Sequence, residues 1–227
     1  MSNDIESQKG TAGDVPSEEL QKLLEQIKND KDAPDGLLEL LQRMSEDPDV
    51  DELLRKKEED TQRKELAAQE LVEHIHAFFE KKGWHYTSMD PTGKLMMLGF
   101  RMRNSTIRLH VLVEPEVECI RFNISLFTCQ EEYRMAMSQF IVETNKPLRY
   151  GAFHLDETDG EVTFRYSVSY CGLPFSPEAF EGYIDACTIS ADQNYKELGE
   201  IAYGRFDDEK KKKWFEQIKQ FAIALSK

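Results

Sequence analysis

Residues 156 to 160, Asp-Glu-Thr-Asp-Gly, hold three carboxylates in five positions between two strand-like segments. Grouped carboxylates can ligate calcium or share acid–base work. A calcium loop needs ligands at alternating positions and a glutamate twelve residues in, and neither is present. The flanks supply another explanation. Val162, Phe164, Tyr166 and Val168 alternate with Thr163, Arg165 and Ser167, which makes one face apolar. Phe153 and Leu155 join that face if Leu155 lies opposite Val162 and Phe153 opposite Phe164. The loop is then Glu157, Thr158, Asp159 and Gly160, with glycine where a positive φ is needed. The spacing predicts a hairpin with its carboxylates on a solvated tip.

Other chemistry-bearing residues do not assemble into a motif. His74 and His76 are two apart on a helical stretch and point to different faces, so they cannot share a metal as an i, i+4 couple would. His85, His110 and His154 are scattered, and no metal or cofactor is expected. The thiols Cys119, Cys129, Cys171 and Cys187 show no C-x-x-C spacing and read as reduced, mostly packed cysteines. No Gly-rich phosphate loop, G-x-S-x-G elbow or H-E-x-x-H helix occurs, so no catalytic residue is assigned and a non-enzymatic chain is expected. Lys210 to Lys213 cover successive faces of a helix begun by Asp207, Asp208 and Glu209, which predicts a solvated turn rather than a membrane or nucleic-acid patch.

The net charge of −14 and pI near 4.9 weigh against non-specific affinity for nucleic acid or anionic membrane. Residues 1 to 60 carry 18 acidic and 8 basic side chains, a net of −10, so the acidity belongs mainly to the first quarter of the chain. No apolar run approaches the roughly 20 residues of a spanning helix. The opening MSNDIESQKG has neither an apolar stretch nor a cleavage site. The cytoplasm is the expected compartment.

The elements that position these residues follow from periodicity. Residues 1 to 15 are polar and small and are expected to be disordered. Ser17 is a candidate N-cap for a helix carrying Leu20, Leu23, Leu24 and Ile27. Leu37, Leu38, Leu41 and Met44 mark a second short helix, with breaks at Pro34 and Pro48. Isolated helices this short are marginal in water, so transient helices are expected. A longer pattern runs from about Asp51 to Lys82 and stops at Gly83. Strands are expected in LMMLGFRM, TIRLHVLV and VECIRFNISLF, then a helix in EEYRMAMSQFIVETN, then the hairpin. Ser176-Pro177-Glu178 opens another helix, running to about Tyr203. An amphipathic helix with Trp214, Ile218, Phe221, Ala222 and Leu225 closes the chain. The fold class is α+β, an antiparallel sheet in α-βββ-α-ββ-α order. The expected organisation is an acidic extension over 1–60, an α+β domain over 61–204 and a docking C-terminal helix over 205–227.

The element order, with NKPLRYGAFHLDETDGEVTFRYSV, PFSPEAFEGYIDA and ADQNYKEL, resembles the YbjN family, whose members are described as bacterial sensory-transduction regulators. The resemblance covers about residues 66 to 202. Its sharpest part is Tyr150-Gly151-x-Phe153 leading to Leu155-Asp156 and Val162-x-Phe164-Arg165-Tyr166. It implies a type III secretion chaperone-like fold, a small acidic homodimer that holds extended protein segments, and no assigned catalytic residues.

Parity gives one further expectation. Ile107, Leu109, Val111 and Val113 must share a face with Ile120, Phe122, Ile124 and Leu126. Placing Val111 opposite Ile120 and Leu109 opposite Phe122 sets His110 against Arg121. Placing Phe100 opposite Leu109 and Leu98 opposite Val111 sets Arg101 against Arg108. The outer face then collects Arg101, Arg108, His110, Arg121, His154 and Arg165, a basic surface on an acidic protein, with Phe127 beside them. Three readings stand. The face or a free edge strand binds a protein segment, acidic in the case of the face; the face binds nucleic acid or nucleotide; or the domain has no separable activity. Acidic partners could be the first 60 residues, a second subunit or a client. A single-strand platform needs aromatics interleaved with the charges, and parity leaves mostly Phe127 there. Protein is therefore the favoured partner, with neither nucleic acid nor membrane expected.

Overall fold

The structure is a computed structural model, and it describes residues 18–29, 34, 36–45, 48–205 and 216. Ser17, the expected disordered stretch over 1–15, and the expected C-terminal helix with Trp214, Ile218, Phe221, Ala222 and Leu225 lie outside the described residues.

The chain divides into two compact units, residues 1–63 and 64–227. In the first, α1 (Glu18–Asn29) lies against α2 (Leu37–Ser45), where Leu41 is buried and Leu24 and Ile27 are half-buried. The long α3 (Pro48–Lys82) begins there, with proline at its first residue, a position whose missing N–H costs the helix nothing.

The second unit is built on a six-stranded sheet of order β1-β2-β3-β4-β6-β5, antiparallel throughout. Its strands are β1 (Tyr86–Ser88), β2 (Leu95–Arg101), β3 (Thr106–Glu114), β4 (Cys119–Thr128), β5 (Ala152–Leu155) and β6 (Glu161–Ser169). The α+β class and the helix–strands–helix–hairpin–helix order are as the periodicity predicts. One strand is added: β1 has only three residues, too few to show an alternation. Between β4 and β5 lies α4 (Arg134–Asn145), entered through a 3-10 turn at Glu131–Tyr133; α5 (Pro177–Ala202) follows β6.

Helix ends obey local chemistry. Gly83, at φ 66°, closes α3: Trp84 N–H donates to Phe79 O at 2.9 Å and Gly83 N–H to Glu80 O at 3.0 Å, satisfying carbonyls the helix leaves orphaned. Ser176 caps α5 by accepting from Ala179 N–H at 3.2 Å, with Pro177 opening the first turn.

The core is one layer of side chains between the sheet and these helices. From α3 come Ala68, Leu71, Val72, Ile75, Phe78 and Phe79, and from α5 Phe180, Ile184, Cys187, Ala191 and Leu198. The sheet contributes Met96, Leu98, Ile107, Leu109, Val111, Val113, Ile120, Phe122, Ile124, Phe153, Val162 and Phe164. Phe180 is the hub: its ring lies 5.4 Å from Phe78, 5.9 Å from Phe79, 5.6 Å from Phe122 and 5.4 Å from Phe175. Burying an aromatic of this size is worth about 1.5–3 kcal/mol, and edge-on ring pairs add about 0.5–1.5 kcal/mol.

The β5–β6 register is the expected one, Phe153 opposite Phe164 and Leu155 opposite Val162. Asp156 N–H donates to Glu161 O and Gly160 N–H to Asp156 O, while the Asp156 and Asp159 carboxylates accept from Thr158 N–H and Glu161 N–H. Those carboxylates bind their own turn, and Gly160 takes φ 84°. The Thr158 hydroxyl and backbone bonds hold the Asp156 carboxyl below its usual range. The cluster is a turn.

Two other registers differ from expectation by two residues each. Leu109 lies opposite Ile124 and Val111 opposite Phe122, so His110 faces Asn123 and Arg121 faces Leu112. The expected register would make Pro115-Glu116 a two-residue loop. Such loops need a positive φ at their first residue, and proline is locked near −65°. The loop instead widens to Pro115–Glu118, with Glu118 at φ 48° donating its N–H to Pro115 O. In the other pair, Phe100 lies opposite Ile107, so Arg101 faces Thr106 and Arg108 faces Gly99. There Met102 N–H bonds Ser105 O, and the turn is anchored from α5. Asp192 accepts from Asn104 N–H at 2.9 Å, Asn104 Nδ2 at 3.2 Å and Ser105 Oγ at 2.7 Å.

Candidate functional site

A shift of two residues preserves which side chains share a face, so Arg101, Arg108, His110, Arg121, His154 and Arg165 all lie on the side of the sheet opposite α3 and α5. The corrected registers redistribute them. Arg101 and Arg108 sit on adjacent strands one row apart rather than face to face, and so do His110 and Arg121. One row reads Met97, His110, Asn123, Arg165, Ala152 across five strands. The row on one side carries Gly99 and Arg108, with Arg101 beyond it; the row on the other carries Leu112, Arg121 and Ser167.

The six are not equivalent. The Arg121 guanidinium lies 2.8 Å from the Glu114 carboxylate and is half-buried, so its charge is answered within the face. Arg101, Arg108 and Arg165 are exposed, and among the described residues no carboxylate stands within ion-pair distance of them. They form a diagonal. With strands about 4.8 Å apart and two residues per row spanning about 6.8 Å, Arg101 to Arg108 is about 8 Å and Arg108 to Arg165 about 12 Å at Cα. His154 is exposed beside Arg165; local desolvation, then the guanidinium, push its imidazole below the ordinary histidine value. That favours its neutral form at pH 7, where the arginines are charged.

Three features escaped the sequence reading. Glu114 continues the outward parity of Arg108, His110 and Leu112, so alternation puts it on the face of Arg121, and the observed register brings the two within one row. Asn123 sits between His110 and Arg165 with its Oδ1 hidden from water and without a hydrogen-bond donor. Phe127, expected among the basic residues, is not there. A bulge between Ser125 and Phe127 turns it to the helix side, opposite Val162, where its ring lies 4.6 Å from Tyr195. Among the described strands no Phe, Tyr or Trp ring remains interleaved with these arginines.

The sheet edges offer less. At β5, Phe153 N–H donates to Asn145 Oδ1 at 2.8 Å and Asn145 Nδ2 donates to Phe153 O at 3.0 Å, so a side-chain amide from α4 occupies the pairing groups an added strand would use. The opposite edge, β1, is three residues long. Among the described residues no group of three or more His, Cys, Asp or Glu is placed to hold a metal ion. No helix among them is long and apolar enough to cross a membrane.

The profile of the family described as "YbjN: Putative bacterial sensory transduction regulator" matches residues 71–200, more than half of the chain and nearly the whole sheet with its helices. The chain belongs to the YbjN family. Solved structures similar to it include YbjN from E. coli, with TM-score 0.46 and 10% identity over 59% of this chain and 93% of that one. A chain of the ExsC–ExsE complex gives 0.42 and 16% over 57% and 93%, and one of the HopA1–SchA chaperone–effector complex 0.38 and 11% over 53% and 88%. No curated protein matches the chain in sequence.

Proposed function

We propose that this YbjN-family chain is a non-enzymatic protein-interaction module, regulatory or chaperone-like, whose outer sheet face receives an acidic protein segment. The supporting observation is the diagonal of Arg101, Arg108 and Arg165, exposed and without ion-pair partners among the described residues, on the side of the sheet away from α3 and α5. Guanidinium groups favour carboxylates because their forked N–H donors match both oxygens. His110, Arg121 and His154 border the diagonal, and Leu95, Met97 and Leu112 supply half-buried apolar contacts beside it. The occupied β5 edge favours the face over strand addition. With the Phe and Tyr rings of the described strands turned toward the helices, the face has few groups for bases to stack on, which disfavours single-stranded nucleic acid. Action as a homodimer in the cytoplasm, with residues 1–60 as an acidic extension, belongs to the same proposal.

The test uses the full chain, a fluorescent glutamate-rich peptide and a single-stranded oligonucleotide of equal charge, titrated across salt. Peptide affinity is expected to fall with salt and to drop at least tenfold in Arg108→Glu/Arg165→Glu, the oligonucleotide binding more weakly throughout. Unchanged affinity in the double variant, or preference for the oligonucleotide, overturns the proposal.

A further inference from the structure

The described body ends at Arg205, and its last turn is pinned against the start of α4. Gln130 N–H donates to Ala202 O at 3.2 Å and Arg205 N–H to Glu200 O at 2.7 Å. A Cβ on Gly204 would fall 2.3 Å from the Tyr133 ring, so only glycine allows the chain to pass that close. Residues 206–227, FDDEKKKKWFEQIKQFAIALSK, follow from this point. In them Trp214, Ile218, Phe221, Ala222 and Leu225 recur at helical spacing, an apolar stripe that needs something to lie against.

α4 has a matching need. Apolar residues surround it, Met135, Ala136, Met137, Phe140, Ile141 and Val142, yet only Met137 and Ile141 are buried. A helix apolar on more than one side is normally covered on more than one side. Tyr133, Ala136 and Phe140, spaced i, i+3, i+7, form a half-buried row that starts where the chain leaves. The lengths agree: Trp214 to Leu225 as a helix spans about 18 Å, the same as α4. As helix the eight residues between Arg205 and Trp214 span about 12 Å, and Tyr133 already stands beside Gly204, so the row is within range. The charges agree as well, since Glu131 and Glu132 flank Tyr133 while Lys210 to Lys213 precede the stripe.

We propose that residues 206–227 fold back as a helix along the Tyr133–Ala136–Phe140 row of α4, with Lys210–Lys213 near Glu131 and Glu132. The occupant is the chain's own C-terminal segment, on a surface separate from the arginine face, so the proposal stands whether or not that face binds acidic protein.

Hydrogen–deuterium exchange on the full chain tests it, comparing wild type with Ala136→Arg and Ile218→Asp. Amides of 212–225 are expected to exchange at least tenfold more slowly than free-peptide rates in wild type and to lose that protection in both variants, those of β3 and β4 staying unchanged. Ile218 is outside the described residues and outside the core that joins the sheet to α3 and α5, so its variant decides the matter if Ala136→Arg unfolds. An unprotected wild-type segment, or protection surviving in Ile218→Asp, overturns the proposal. Protection that fades over about a hundredfold dilution means a second copy supplies the cover and also overturns it.

Discussion

Asp192 on α5 is a sharp test of how the sheet register is held. Its carboxylate is 6% exposed, covered by the single turn it anchors, and receives three donors: Asn104 N–H, Asn104 Nδ2 and Ser105 Oγ. Hydrogen bonds to a charged acceptor contribute roughly 1.5–3 kcal/mol each when wholly buried. Here the turn is near the surface and water can replace part of what is lost. Asp192→Ala is therefore expected to cost about 2–4 kcal/mol in total rather than the sum. Asp192→Asn keeps one acceptor oxygen and the shape, and should cost about 1–2 kcal/mol.

The pH dependence gives an independent handle. Burial raises the Asp192 carboxyl, but the Ser105 and Asn104 hydrogen bonds outweigh it, and the group titrates below its ordinary value. Its stabilisation is then fully present above about pH 4, the unfolded value, and is lost as pH falls through the folded one. Urea unfolding of wild type and Asp192→Ala should show the full gap at pH 7 and a smaller gap in acid. A gap under about 0.5 kcal/mol at pH 7, or one that does not shrink in acid, would refute the assignment of Asp192 as the anchor of the Asn104–Ser105 turn.

Three further outcomes are expected. Gly160→Ala forces a side chain into φ 84° with its Cβ 2.4 Å from Cys129 O, so urea unfolding should register at least about 1–2 kcal/mol of destabilisation from the conformation alone. Of the four thiols only Cys171 is exposed; burial pushes Cys187 up to about 12 and, with Glu114, Cys119 up to about 11. One fast equivalent should react with Ellman's reagent at pH 8 and vanish in Cys171→Ser. Because desolvation and then Arg165 lower the His154 imidazole, affinity for an acidic peptide should rise as pH falls, and His154→Ala should remove a part of that rise lying on the acid side of an ordinary histidine's midpoint.

Which residues share a face was legible in the sequence, because a strand's two-residue period sorts side chains without knowledge of their neighbours. Register was legible for the β5–β6 hairpin but not for the first three strands, because sliding a strand by two residues leaves every face intact. What chooses among those slides is turn chemistry. Pro115 excludes the tight loop by its fixed φ, and that much could have been read directly. Asp192 could have drawn notice as the one carboxylate on the buried stripe of Ile184, Cys187, Thr188, Ala191 and Leu198, yet its partner lies 88 residues earlier and no local pattern links them. The bulge that turns Phe127 inward has no comparable signal. Neither has β1, whose three residues are too few for a period.

The same reasoning separates two kinds of knowledge about the arginine face. Its membership follows from parity alone and survives both register corrections. Its spacing depends on register, and spacing governs what the face can recognise. In the expected register Arg101 and Arg108 would stand directly opposite each other, a repulsion of a few tenths to about 1 kcal/mol. In the observed one they step apart by a row, Arg121 is answered by Glu114, and the uncompensated guanidinium groups fall on a line oblique to the strands. A strand added at the sheet edge would run along the strands, and β5 is closed to it by Asn145. A segment meeting Arg101, Arg108 and Arg165 together must lie across them, with carboxylates about 8 and 12 Å apart, so altering the spacing in a test peptide should matter more than altering its total charge.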